Sequence, residues 1–370
     1  MARIRWRLLS TKIRRMKRRL KTETTSRDDE RDWRELPSEL LVLISQKLAD
    51  LRYFIRFRAV CKSWRASVLV SDQPPQIPWL FECEFCEGFS LEEAFISEEL
   101  CFYSLADANP ETGIGRILIK ECYQYYGTGN GYLLIKDGSN LSLLNPLTNN
   151  TISLPPVPSD CISIDLHSVF FSSSDLILAW CMFLACDHGN WTCGFCHPDK
   201  MKWKYIGNSY NTCCWNGMIF TTLEFTWTKV FDAASGKKLY QVPHAEEEGS
   251  IASQSYLVES CGVVLRLALY YTSDAKIYIF SVYKLSFEGR DGQPCWVKVN
   301  NIGDQILFLD ARNGFSVRAT AGFKENSIYY ISDDWSNKCN TLWRYDIAVG
   351  TVERVPCPFQ GFMWFIPKLC

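Results

Sequence analysis

The chain has 370 residues, 47% hydrophobic and 22% charged, which excludes a disordered or collagen-like polymer and supplies ample core material. It contains no run of about eighteen apolar residues, so the sequence offers no membrane span. Its 17 cysteines are odd in number and too dilute for a disulfide scaffold. With no apolar stretch behind the first charges to act as a secretory signal, the compartment reads as reducing and the cysteines as small buried hydrophobes.

Net charge is −1, yet residues 1–21 hold ten Arg and Lys and no acid, which leaves −11 on the remainder. In this tail Leu9, Ile13, Met16 and Leu20 fall on one helical stripe. Four readings stay open for it: a solvated arm; a nuclear-import or nucleic-acid patch on Arg14, Arg15, Lys17, Arg18 and Arg19; an organellar presequence; adsorption to anionic lipid. The destinations expected are nucleus and/or cytoplasm, with an organelle open as well. "TETTSRDDERD" reads as a linker, which sets the tail at 1–31.

Residues 32–70 change period. After Leu36-Pro37, Ser38 is placed to cap a helix and Glu39 to complement its N-terminus. Leu40, Leu43, Ile44 and Leu48 then repeat at helical spacing, and so do Phe54, Phe57, Val60, Cys61, Trp64 and Val68. Two or three short helices cannot bury that much apolar surface among themselves. A leftover apolar face is a partner site.

"SDQPPQIPWL" breaks the pattern, giving a linker at 71–79. From there to residue 367, short apolar-aromatic runs alternate with Gly, Asn, Asp, Ser and Pro turns, as in an all-β domain. Three stretches repeat: 130–156, 216–243 and 326–356. Each opens on Asn-Gly or Asn-Ser before a strand, passes a second strand ending in Asn-Pro, Phe-Asp or Tyr-Asp, and closes on a third strand and a Pro. Their starts lie 86 and 110 residues apart, room for an intervening unit around "WTCGFCHPDKMKWKYIG" and another around "FSVYKLSFEGRDGQPCWVKVNNIG". About 45–50 residues per four-stranded unit gives a β-propeller of about six blades, with five or seven open.

Catalytic patterns do not assemble. The histidines are His167, His188, His197 and His244, and neither G-x-S-x-G nor H-E-x-x-H occurs. "YGTGNGY" (126–132) runs into a strand, not a helix, and so reads as a β-turn. "DDWSN" (333–337) falls in an inter-strand loop. Cys186, His188, Cys193, Cys196 and His197 imitate a zinc site, but as part of a strand Cys193 and Cys196 take opposite faces. The other C-x-x-C pair, Cys83 and Cys86, is 107 residues from Cys193. No metal and no cofactor is expected.

The stretch "LPSELLVLISQKL…FRAVCKSWRASV" resembles an F-box, the motif by which substrate adaptors dock onto Skp1 in SCF-type ubiquitin ligases. That resemblance implies contact with a Skp1-like protein through Leu36, Pro37, Leu40, Ile44, Leu48, Val60, Cys61 and Trp64, with Leu41 and Phe57 kept for the local core. "GYLLIKDGSNLSLLNPLTNNTISLPP", "YLVESCGVVLRL", "FSVYKLSFEG…CWVKVNNIGDQILFL" and "NSIYYISDD", in that order, resemble the kelch-like propeller of the KIB type, found behind an F-box in a large plant family of adaptors. One stretch departs from that pattern, "ARNGFSVRATAGFKENSIYY" before the last unit. The two resemblances imply a non-catalytic adaptor: the helices reach Skp1 and through it cullin, and the propeller captures a protein target. The alternative is a module that binds nucleic acid or chromatin through residues 1–21 and the propeller.

Overall fold

A computed structural model describes residues 32–48, 51–73, 78–82, 99–104, 115–118, 124–129, 131–137, 140–156, 161–171, 177–185, 191–197, 202–209, 211–223, 226–244, 252–272, 277–289, 292–310, 314–320, 322–334, 339–357 and 362–369. A 3-10 turn (Trp33–Glu35) leads into α1 (Ser38–Ser45), α2 (Leu51–Arg58) and α3 (Lys62–Ser67).

One local expectation needs correcting. Pro37, not Ser38, is the N-cap of α1 and makes no side-chain capping bond; its fixed φ and missing N–H suit it to the start of a helix. The apolar run from Phe54 to Val68 is shared between α2 and α3, which gives the three short helices expected of this region. Cys61 is extended (φ −157°) and its Sγ accepts a hydrogen bond from Trp64 N at 3.5 Å, so it caps α3. The break folds α3 back, and the Phe57 and Trp64 rings meet at 4.5 Å.

Among the described residues the strands form six sheets. The first holds β1 (Trp79–Glu82), β2 (Glu99–Ser104) and β3 (Gly115–Leu118). The second is β4 (Gln124–Gly129), β5 (Tyr132–Asp137), β6 (Asn140–Asn145) and β7 (Asn150–Leu154). The third is β8 (Cys161–Phe171), β9 (Ile177–Ala185), β10 (Trp191–His197) and β11 (Lys202–Asn208). The fourth is β12 (Asn211–Trp215), β13 (Met218–Leu223), β14 (Trp227–Asp232) and β15 (Lys238–Pro243). The fifth is β16 (Gln254–Ser260), β17 (Val263–Thr272), β18 (Ile277–Ser286) and β19 (Cys295–Val299). The sixth is β20 (Gln305–Leu309), β21 (Gly314–Arg318), β22 (Ser327–Asp334), β23 (Cys339–Asp346) and β24 (Val352–Val355). The last strand, β25 (Phe362–Phe365), returns to pair antiparallel with β1 and completes the first sheet.

The three repeated stretches share one turn, which explains their signature. Where the second strand ends, Asn145, Asp232 and Asp346 each accept a main-chain N–H through Oδ1 from two or three residues on. In each the carbonyl of the same residue accepts the N–H four positions ahead, at 2.8 Å: Asn149, Gly236 and Gly350. Those three residues have φ of 58°, 75° and 76°, the left-handed region that Gly and Asn tolerate. The short polar side chain at the start and the Gly or Asn at the end are thus both demanded by the loop.

Five sheets are four-stranded and antiparallel; the sixth departs from that uniform plan. Its order is β21-β20-β22-β23-β24, with β20 and β22 parallel. The cause is an inserted hairpin: β21 folds back onto β20, and its Phe315 ring stacks on Phe308 at 5.8 Å. The insertion lies in the stretch that departs from the family pattern.

The first strand of each sheet from the second to the fourth lies beside the first strand of the next; β21 lies beside β16 and β25 beside β4. Closure comes from Trp364 of β25. Its ring packs among Ile306, Phe308, Tyr329 and Leu342 of the sixth sheet, and its Nε1 donates to Leu309 O at 2.9 Å. A ring of twisted sheets packed face to face, with the last strand completing the first sheet, is a β-propeller.

Candidate partner-docking site

Helix α1 presents two apolar faces. Leu41 and Ser45, one turn apart, are fully buried, and Leu48 packs against the same core. Leu40, Leu43 and Ile44 lie on the other side, 46%, 57% and 41% exposed. The spacing i, i+3, i+4 makes them one stripe. The inward face joins a cluster that holds Phe54, Phe57 and Val68 from the helical region together with Trp79, Phe102, Leu133 and Phe365 from the strands. The helices are therefore seated on the propeller over β1, β2, β5 and β25, and the outward stripe points away from that core.

The other candidate residues divide in two. Pro37 and Val60 are exposed, as the outward stripe is. Leu36, Leu48, Cys61 and Trp64 are half-buried. Leu36, Leu48 and Trp64 pack onto the shared core, and the Trp64 Nε1 donates to Trp33 O at 2.9 Å. Arg58 Nε donates to Val68 O at 2.8 Å and so ties the end of α2 to the end of α3. Leu43, Trp33, Tyr53 and Ile55 are exposed as well, and sequence reasoning did not assign them to a partner. For Leu43 the signal was present in the spacing to Leu40.

The basic residues Arg14, Arg15, Lys17, Arg18 and Arg19 lie outside the described residues, as do Cys83, Cys86, Cys186 and His188. In the zinc-like stretch, β10 pairs without interruption with β9, residue 193 opposite Met182 and 196 opposite Ala179. Cys196 is buried in the blade. Among the described residues no group of three His, Cys, Asp or Glu could hold a metal ion. Of the glycine-rich stretch 126–132, residues 126–129 end β4 and Tyr132 opens β5, with Gly131 at φ 88° between the two strands.

At the turns of the fourth and fifth sheets lies a cleft of about 330 Å³ lined by Trp215, Val263, Lys284, Phe287 and Glu288 among others. Two of its lining rings meet, Trp215 and Phe287 at 6.3 Å, and Tyr240 outside the lining lies 6.2 Å from Phe287. Nearby Cys213 is buried, and that burial holds its thiol well above the usual range, in the inert protonated form.

The family model "KIB1-4 beta-propeller" matches residues 102–351. The chain belongs to the KIB1-4 β-propeller family. Curated relatives of this KIB1-4 propeller include three from Arabidopsis thaliana. F-box protein At2g05970 is 24% identical over 91% of this chain and 96% of its own length. F-box only protein 7 is 22% identical over 94% and 97%. Probable F-box protein At4g22165 is 24% identical over 91% and 97%. The match and the relatives agree with the resemblance read from the sequence. TolB from Acinetobacter baumannii is similar at a TM-score of 0.43 and 9% identity, covering 78% of this chain and 66% of that one, too slight a likeness to bear on function. Among the described residues of the KIB1-4 chain no helix is long and apolar enough to cross a membrane.

Proposed function

We propose that this protein is the substrate-recognition adaptor of a Skp1–cullin–F-box ubiquitin ligase. The observation that carries the reading is the outward stripe of Leu40, Leu43 and Ile44 on a helix whose other face is already buried against the propeller. A solvent-facing leucine stripe that the fold does not use is a surface awaiting a partner, and each such side chain buried adds about 1.5–3 kcal/mol. Pro37 precedes it by three residues, Val60 between α2 and α3 is exposed as well, and Leu36, Leu48, Cys61 and Trp64 are half-buried. The F-box names of the relatives point to a Skp1-like protein as that partner, with cullin beyond it. The propeller would hold a target protein by the loops at one of its ends, where variable side chains stand on a rigid scaffold. The adaptor then supplies proximity and orientation, not a nucleophile. We read the six sheets as six blades, the sixth enlarged by the β20–β21 hairpin.

The test is co-purification of the full chain with a Skp1-like protein. Wild type forms a stoichiometric complex; Leu40→Asp with Ile44→Asp loses it and keeps the thermal unfolding midpoint. Failure of the folded wild type to bind any Skp1-like protein refutes the reading.

A further inference from the structure

The four residues after β25 run between the linker and the second sheet, and side chains grip them from both sides. Gln73, just after the helices, donates from Nε2 to Pro367 O at 3.0 Å and accepts at Oε1 from Leu369 N at 3.1 Å. From the propeller, Asn145 donates from Nδ2 to Lys368 O at 3.0 Å. Three consecutive residues are thus held by side chains of the linker and of β6. Leu369 packs onto the cluster that joins Leu41 and Phe54 to Leu133 and Phe365. The approach at Gly131 is close: a Cβ there would lie 2.7 Å from Lys368 Cβ, so a larger residue would push the segment out.

We propose that residues 366–369 are a latch that holds the helical region in one orientation on the propeller, making the chain a rigid bridge between its two partners. Contacts between domains of one chain permit relative motion by default unless the interface is large and apolar. Here the apolar cluster supplies attraction, which is non-directional, and the Gln73 and Asn145 bonds supply direction. The purpose of the rigidity rests on the adaptor reading above: a target held at a fixed distance from the site of ubiquitin transfer meets it at a high effective concentration. The latch itself can be measured on the free chain, so its failure and the failure of the adaptor reading are separate results.

The experiment is hydrogen–deuterium exchange of the full chain, followed in α1 and α2 and, as an internal standard, in β16–β19. Gln73→Met keeps the side-chain volume and removes both bonds to the segment; Leu369→Asp also removes its apolar anchor. Two hydrogen bonds lost correspond to about a tenfold rise in opening of the helices. The expected result is faster exchange in α1 and α2 by that factor in Gln73→Met and by more in Leu369→Asp, with β16–β19 unchanged and a larger radius of gyration by X-ray scattering. Helix exchange equal to wild type in Gln73→Met overturns the proposal. So does an equal acceleration of β16–β19, which would mark a general loss of stability.

Discussion

Asp346 is the residue through which the repeated turn is most open to measurement. Its Oδ1 accepts from Ala348 N at 3.1 Å and Val349 N at 3.2 Å. Its other oxygen pairs with Lys324, and Arg344 Nη1 lies 3.9 Å away. Asn145 occupies the same place in the second sheet, taking two main-chain N–H groups through Oδ1 without a charge. Asp346→Asn therefore keeps the turn bonds and removes only the charge, whereas Asp346→Ala removes both. Two main-chain hydrogen bonds contribute about 2 kcal/mol together. The charge is worth about another 1–2 kcal/mol, chiefly through the Lys324 hydrogen bond to a carboxylate that is itself buried, with Arg344, 3.9 Å away and already paired with Glu353, adding less. The Asn variant should lose about 1–2 kcal/mol and the Ala variant about 3–4 kcal/mol at neutral pH. The hydrogen bond from the Lys324 ammonium holds the Asp346 carboxyl below the usual range in the folded protein. With the folded value depressed, the charge contribution is complete above the unfolded value of about 4 and is lost as pH falls through the folded value. Urea denaturation at pH 7 and then stepwise toward pH 3 should show wild type approaching the Asn variant in acid. The reasoning is refuted if Asn costs as much as Ala at pH 7, or if the gap between wild type and Asn persists at the lowest pH.

Adjacent positions on α1 should separate folding from docking. Leu41→Ala opens a cavity and should cost about 2–5 kcal/mol in denaturation; Leu40→Ala should leave stability within about 0.5 kcal/mol and weaken Skp1 binding by titration calorimetry. Cys261 and Gly262 form the two-residue turn between β16 and β17 with φ of 48° and 78°. That turn type prefers Asn-Gly, so Cys261→Asn should raise the unfolding midpoint, by about 0.5–1 kcal/mol in stability. Trp364→Phe removes the donor to Leu309 O from a fully buried ring and should cost about 2–4 kcal/mol by urea denaturation.

The propeller was legible because its turns leave marks: an Asn or Asp that closes the loop, then a residue that must accept positive φ. Those marks recur at 145/149, 232/236 and 346/350, with short apolar-aromatic strands before them. The intervening units were harder to find, since the sequence around β8–β11 and β16–β19 offers as its clearest mark only a Trp-bearing outer strand, with Trp203 in β11 and Trp296 in β19. The β21 hairpin showed as a departure from pattern but not as a strand, because "GFSVR" is short and has no buried residue to mark a face. In the helical region the density of apolar residues hid the geometry. Leu40, Leu41, Leu43 and Ile44 cover both sides of α1, so periodicity alone cannot say which side meets the core. Three short helices were expected, but the place of the last break, at Cys61, was unmarked because a cysteine as a helix cap is chemically unusual. "WTCGFCH" is the reverse case: its composition is ligand-rich, and strand alternation was enough to read it as a blade strand, which its pairing with β9 matches.

The pairing of β1 with β25 also governs how the molecule comes into being. β1 is made early and carries Trp79, Leu80 and Phe81, all buried in the finished ring. The strand that pairs it on one side, and the Phe365 that packs beside Trp79 at 6.2 Å, are made only after every other sheet. Until then the opening strand of the ring is an uncovered edge, the kind of surface that recruits chaperones or other chains. Closing so long a loop also makes the last step entropically costly and slow. A nascent chain of this protein therefore completes its ring only once its last strand has left the ribosome, and its helices find their seat no earlier.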